Sequence, residues 1–534
     1  MIWEAWEKDY GPKPIIPVAQ KKQSELNETL NLKDDIPASA GVPIEKPRIE
    51  SSDPVINLLK QGKKIKVITD LLDIEIDTIG GTITRVDLLD YPISKEQSDT
   101  PITLLNDDPA SLYVAQSGIL TSGYPAPNHH TEYQTTTTNY QLVLGEKELT
   151  VPLSWSSEDG IDVTKVFTFY PGRYDIDIEH RVANNSGKEW KGRQYGQLQR
   201  KEREEDSDTT FIRTYTGGVI YNEEDKYEKI SFEDMYEDNL SLEAKGGWSA
   251  LIQHYFLSAW VPPGEDQNHF YTKSLSDYRF VIGSYSSQVE VQPGDHKVLS
   301  SIFYSGPKIQ QDLEVITPGL ELTVDYGFLT VIAKPIFWLL GKFHGYLNNW
   351  GWSIICVTCV IKLLFYKLSE TSYRSMARMR KIQPKMTSIR ERFGEDKQRM
   401  NQEIMALYKR EKVNPLGGCF PILVQIPVFI SLYWVLLESV ELRQAPFIFW
   451  LQDLSLKDPF FILPLLMGFS MWIQQKLNPA PIDPVQEKVM KMFPFIFTVF
   501  FMFFPSGLVL YWVVNNTLSI LQQWYITRKI VAEG

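Results

Sequence analysis

Five apolar stretches crowd the C-terminal part of the chain, at about 348–367, 418–437, 459–476, 489–504 and 507–525. They restrict the fold more than any other feature. Roughly 20 helical residues cross a bilayer core, and backbone in lipid must satisfy its own hydrogen bonds. The stretches therefore predict a bundle of five transmembrane helices. The fourth, within "FPFIFTVFFMFFPSG", is short enough to thin the surrounding bilayer. It ends at a turn, Phe504-Pro505-Ser506-Gly507.

Charge divides the chain at the same place. Residues 1–325 carry 31 Lys/Arg against 53 Asp/Glu, a net of -22; residues 326–534 carry 23 against 13, a net of +10. An acidic part joined to a basic, apolar part predicts two environments. All three cysteines, Cys356, Cys359 and Cys419, fall in the apolar part. The acidic part must fold on its own core without disulfides.

Residues 11–64, rich in Pro, Lys, Gln, Asp and Ser, read as a flexible tether. From Ile65 apolar residues alternate with polar ones. In "DIEIDTIGGTITRV", Ile74 and Ile76 face one way, Asp73, Glu75 and Asp77 the other, and Gly80-Gly81 supplies a turn. Similar short runs continue, so 65–315 is expected to be an all-β domain of two packed sheets. Residues 326–345 then place apolar residues at helical spacing with Lys334, Lys342 and His344 between them, the pattern of a helix lying on a membrane surface.

Orientation follows from Lys and Arg in short loops. Segment 369–417 holds 12 of them, segment 438–459 holds two, and the tail carries Arg528 and Lys529. These place 369–417 in the cytoplasm and residues 11–325 outside, in a bacterial periplasm. Within 369–417, Met376, Met379, Ile382, Met386, Ile389 and Phe393 form one apolar stripe. Gly394 breaks it, and Met400, Ile404 and Leu407 form another, predicting a helical hairpin. No export signal precedes the outer domain, and "MIWEAWEKDY" at 1–10 reads as the remnant of an N-terminal membrane anchor.

Three segments are distinctive: "EKVNPLGGCFPILVQIPVFISLYWVL", "SVELRQAPFIFWLQDLSLKDPFFILPLLMG" and "FPSGLVLYWVVNNTLSILQQW". With "LTVDYG" before the surface helix, they resemble the YidC family of membrane protein insertases. The resemblance implies an α+β architecture: an extracytoplasmic β-supersandwich, an interfacial amphipathic helix, and an insertase membrane domain over 346–534 with its cytoplasmic hairpin. It implies an inner-membrane insertase and chaperone, not an enzyme, with no cofactor or metal. Such a protein takes hydrophobic nascent segments into a hydrophilic groove and releases them into the membrane, alone or with the Sec translocon. Its implied partners are nascent membrane proteins, the Sec translocon, the lipid bilayer, and the ribosome and a targeting receptor through 369–417.

The residues give the groove its candidates. Lys362 is a charge inside an apolar stretch, which marks a functional site, and it falls where the family's groove arginine sits. It also lies about five residues, roughly 7.5 Å, from the inner end of its stretch, so its stem could reach the interface. Thr358 is one turn away. Gln425, between Pro421 and Pro427, is either interhelical glue or groove wall, with Ile426 and Phe429 beside it. Asn515, Ser519, Gln522 and Gln523 make a polar stripe open to the same two readings. The resemblance makes Tyr511 and Trp512 the aromatic surface on which a client helix rests. Lys367 stands where the family commonly has proline, predicting an unkinked helix through that point.

Two other functions fit the composition. The sandwich could bind or convert an envelope sugar with His129, His130 and His180, but no nucleophile elbow, metal-ligand spacing or phosphate loop accompanies them. A solute transporter could use Lys362, but transporters of that kind carry internal repeats, and none is visible.

Overall fold

The computed structural model of the chain describes residues 35–37, 61–203, 214–393, 396–411, 420–478 and 484–532. The segments expected to be an anchor remnant (1–10) and, for the most part, a tether (11–64), together with the expected break at Gly394 and Cys419, lie outside these residues. The chain divides into two compact units, Met1–Thr323 and Val324–Gly534.

The first unit is a β-sandwich. Its described strands form one sheet of eleven and one of eight. In the larger, Trp190–Lys201 pairs antiparallel with Tyr113–Thr121 and with Arg279–Ser286. In the smaller, His296–Pro307 lies between Phe256–Val261 and Asp175–Asn184. The alternation seen in the sequence is what the sheets bury: Leu72, Ile74 and Ile76 are inside, while Asp73 and Glu75 are half-exposed. Asp77 departs from that rule. It is buried, and its carboxylate accepts the N–H groups of Gly62 (2.9 Å) and Ile79 (2.8 Å). Gly80 and Gly81 adopt φ of 74° and 56°, left-handed values that make the predicted turn. Polar side chains join the two sheets: Trp260 Nε1 donates to the Gln197 carbonyl, and Lys165 Nζ donates to the carbonyls of Gly80, Gly81 and Ser117. Two short helices accompany the strands, α1 (Phe232–Glu237) and α2 (Gln310–Ile316).

The second unit is helical: α3 (Thr330–Leu347), α4 (Trp350–Leu364), α5 (Tyr366–Phe393), α6 (Lys397–Arg410), α7 (Phe420–Glu438), α8 (Ile462–Leu477), α9 (Pro484–Phe501) and α10 (Ser506–Ala532). The surface-helix segment begins as a 3-10 turn, Gly327–Leu329, before α3. Helix α3 buries Ala333, Ile336 and Leu340 against the unit and exposes Val331, Trp338 and Tyr346. An apolar face left outward on an amphipathic helix suits a lipid surface. Asn348, in the left-handed conformation, ends α3. Asn349 caps α4, its side chain accepting from the Trp352 N–H.

The chain does not run straight past Lys367. Helices α4 and α5 meet at Phe365 with a bend of 67°. Proline is not needed for it. Phe365 leaves helical geometry at φ −90° and ψ 11°, and the turn lets Ser369, Ser372, Tyr373 and Ala377 of α5 be buried. Gln522 Nε2 of α10 also donates to the Tyr366 carbonyl at the bend (3.4 Å).

Among the described residues no single helix is long and apolar enough to cross a membrane, although α4 and α5 together have the length and composition. Helix α4 has 15 residues, about 22 Å at 1.5 Å per residue, short of a core of roughly 30 Å. Helix α9 is longer than the apolar stretch it contains, because it starts in the polar run at Pro484. The turn after it is pinned to the preceding loop: the Ser506 and Gly507 N–H groups donate to the carbonyls of Leu456 and Leu454. Ile382 and Met386 of α5 cluster with Ile404, Leu407 and Tyr408 of α6, and Lys385 pairs with Glu411 (2.7 Å). Met376, expected in that stripe, instead faces a cavity.

Candidate functional site

Helices α4, α5, α7, α8, α9 and α10 enclose a cavity of about 330 Å³. Of the eleven groove candidates named in the sequence, eight line it: Lys362, Gln425, Ile426, Phe429, Tyr511, Trp512, Asn515 and Ser519. Thr358 does not. It is fully buried one turn above Lys362, and its hydroxyl donates to its own helix at the Ile354 carbonyl (2.6 Å). Such a back-bond satisfies the hydroxyl inside the helix and leaves nothing for a cavity.

Among the described residues, Lys362 is the only charged side chain in the lining. It is 9 % exposed, and its Nζ donates to Ser519 Oγ at 2.7 Å. The Ser519 hydroxyl in turn donates to the Asn515 carbonyl (2.7 Å), so its lone pairs face the ammonium. Among the described residues no carboxylate lies within ion-pair distance of Nζ. The cation is held by a neutral dipole, and its charge is not cancelled.

Part of the lining is aromatic. Phe429 of α7 stacks on Tyr511 (centroids 6.0 Å apart, 20° between planes) and meets Trp512 edge-on at 4.8 Å. The Trp512 indole N–H is buried without a hydrogen-bond acceptor among the described residues. Ile426 is 43 % exposed and presents a free apolar surface at the rim.

The predicted polar stripe of α10 divides between two tasks. Asn515 and Ser519 line the cavity, and Gln522 holds the bend. Gln523 turns to α8 and donates to the Leu477 carbonyl and to Asn478 Oδ1. Asn516, which sequence reasoning passed over, donates to Ser470 Oγ of α8 (3.2 Å) and also borders the cavity. Ser369, Ser372, Tyr373, Gln474, Gln475 and Asn478 were missed as well. Two signals could have found them. Ser369, Ser372 and Met376 share one helical face just past Lys362, and Gln474-Gln475 is an amide pair at the end of an apolar stretch.

The whole arrangement has one uncancelled cation, a set of hydroxyls and amides, and an aromatic wall. It has room for a few waters or a short polar or anionic group, with apolar side chains at its edge.

Known proteins resemble the chain along its length. The family model described as the YidC periplasmic domain matches residues 64–339, and that of the 60Kd inner membrane protein matches 342–533. A membrane protein insertase YidC from Methylococcus capsulatus is 57 % identical, over 99 % of this chain and 95 % of that protein. Another from Thioalkalivibrio sulfidiphilus is 52 % identical, over 100 % and 96 %. A solved structure of an active YidC insertase aligns over 88 % of this chain and 93 % of its own, with a TM-score of 0.39 and 15 % identity.

Proposed function

Since the chain belongs to the YidC family of membrane protein insertases, an inner-membrane family with a periplasmic domain, we propose that it performs insertion at the Lys362 cavity. A nascent hydrophobic segment lies along Ile426, Phe429, Tyr511 and Trp512, while its polar or acidic flank enters the cavity toward Lys362. Release is sideways into lipid. The driving force is transfer of the client's own apolar surface, about 25 cal/mol per Å², so no nucleotide, metal or covalent step is required.

The observation that carries this reading is the Lys362–Ser519 contact, an ammonium held by one hydroxyl beside a cavity lined by both polar and apolar side chains. A buried ammonium costs several kcal/mol, and this one is compensated by a single hydroxyl, which fits a site whose anionic partner arrives with the client. The same reading gives the chain five spans, with 369–417 as a cytoplasmic hairpin and 11–325 in the periplasm. The ribosome or a targeting receptor would dock on the basic surface of α5 and α6, and the Sec translocon would receive some clients. The relatives are named insertases and not sugar enzymes.

Site-specific crosslinking to a stalled nascent membrane protein tests the placement. Probes at Gln425 and Ile426 should capture the client, whereas a probe at Thr358, buried away from the cavity, should not. Equal capture from all three positions, or none from Ile426, would refute it.

A further inference from the structure

A second cluster lies in the β-sandwich. Asp35 comes from the chain ahead of the first strand, and His129 and His130 from the loop after strand Tyr113–Thr121. Asp35 Oδ1 is 2.8 Å from His130 Nε2, and Oδ2 is 3.2 Å from His129 Nε2. One ligand atom from each of the three residues lies within 4.8 Å of the others. His129 Nε2 is buried and has no hydrogen-bond partner among the described residues, although the carboxylate is close. A nitrogen and a carboxylate that approach without aligning as donor and acceptor leave room for a body that both could coordinate.

The surroundings hold these ligands in place. His129 Nδ1 meets the Tyr195 hydroxyl at 2.5 Å, and the His129 backbone N–H reaches the same oxygen at 3.1 Å. That contact turns Nε2 toward Asp35. Gln197 Nε2 donates to the Asp35 carbonyl (3.0 Å) and to Gln116 Oε1 (2.8 Å). The loop is stiff: the His130 N–H donates to Asn128 Oδ1, and the Gly80 N–H donates to the Thr131 carbonyl. A Cβ at Gly80 would sit 2.4 Å from the His129 carbonyl oxygen, so the turn and the loop are in direct contact.

We propose that Asp35, His129 and His130 bind one borderline divalent cation of the Zn²⁺ class, fastening the Asp35 segment to the sandwich. Two imidazoles and a carboxylate, with a fourth position open, form a ligand set that Zn²⁺ accepts and that Ca²⁺ and Mg²⁺, which want oxygen cages, do not. Tyr195 is the orienting partner behind a ligand histidine. The site is independent of the groove.

The full chain in detergent, with Cys356, Cys359 and Cys419 replaced by serine and metal stripped by chelator, is titrated with Zn²⁺ against a fluorescent chelator and with Co²⁺ by visible absorption. One equivalent should bind, Co²⁺ should give d–d bands, and Mg²⁺ should not compete. His130→Gln and Asp35→Asn should each weaken Zn²⁺ binding at least tenfold, and Tyr195→Phe by about 10–100-fold. His130 is partly exposed (24 % of its side chain), so its substitution spares the core, and an unchanged melting curve without metal confirms this. Wild-type affinity and stoichiometry in His130→Gln and Asp35→Asn would overturn the proposal.

Discussion

Replacing Lys362 by methionine keeps the length of the stem and removes the charge, so it isolates electrostatics from packing. A cavity of about 330 Å³ has an equivalent radius of about 4 Å, so a carboxylate admitted to it lies about 4–8 Å from Nζ. At ~7 Å and an effective dielectric near 20, the attraction is about 2 kcal/mol, a factor of roughly 30–50 in occupancy. The assay is insertion into proteoliposomes of paired clients that differ by one residue in the translocated flank, Asp or Asn. Wild type should favour the Asp client over its level in Lys362→Met by that factor at limiting client concentration, and Lys362→Glu should reverse the preference. The effect should fall only weakly with salt, because a shielded pair is little screened. If the Asp/Asn ratio is the same in wild type and Lys362→Met, Lys362 does not attract the flank. If Lys362→Met instead slows both clients equally, its role is structural, through Ser519.

Several further outcomes follow from individual contacts. His180 is buried in the sandwich, and burial, with the nearby Lys165 charge, pushes it down from 6.5 to about 3. The unfolded chain therefore binds this proton first as pH falls, and the histidine's stability contribution, whole above pH 6.5, is lost toward pH 3. At about 1.4 kcal/mol per pH unit the loss approaches roughly 5 kcal/mol, and His180→Leu should flatten that part of the acid-unfolding profile, read by hydrogen exchange in sandwich peptides. An unchanged profile would remove His180 from the account. Asn516→Leu breaks the bond to Ser470 and should cost about 0.6–2 kcal/mol of stability in a thermal melt, while leaving client crosslinks from Ile426 intact. Loss of those crosslinks at unchanged stability would show that Asn516 belongs to the groove and not to packing.

Periodicity made much of the fold legible. Alternation of Leu72, Ile74 and Ile76 against Asp73 and Glu75 announced the sandwich, and the two glycines announced their turn. The cavity was half legible. Lys362 and Ser519 were visible because polar groups in apolar stretches are costly, so each demands a reason. Ser369 and Ser372 were invisible because they lie in a segment rich in charge, where two serines draw no notice. What brings them to Lys362 is the bend at Phe365, a backbone event without a proline to advertise it. The Asp35 cluster was hidden for a different reason: its partners are 94 and 95 residues apart in sequence, and no local pattern encodes that contact.

The same bend joins the two readings of Lys362. Its helix ends at Leu364, two residues on, about 3 Å along the axis, and the chain then turns by 67°. A straight helix would have carried the lysine's stem past apolar neighbours toward the interface. The turn instead lays the hydroxyls of Ser369 and Ser372 beside the cavity that Lys362 enters. Lys362 itself stays 9 % exposed, so the ammonium rests on the Ser519 hydroxyl and not in bulk water. Under the proposed function, a client's carboxylate would meet a cation that has already lost most of its water, so the lysine's share of the desolvation cost is met by the fold. A straightened α4–α5 junction would take Ser369 and Ser372 away from the cavity even with every other lining residue kept.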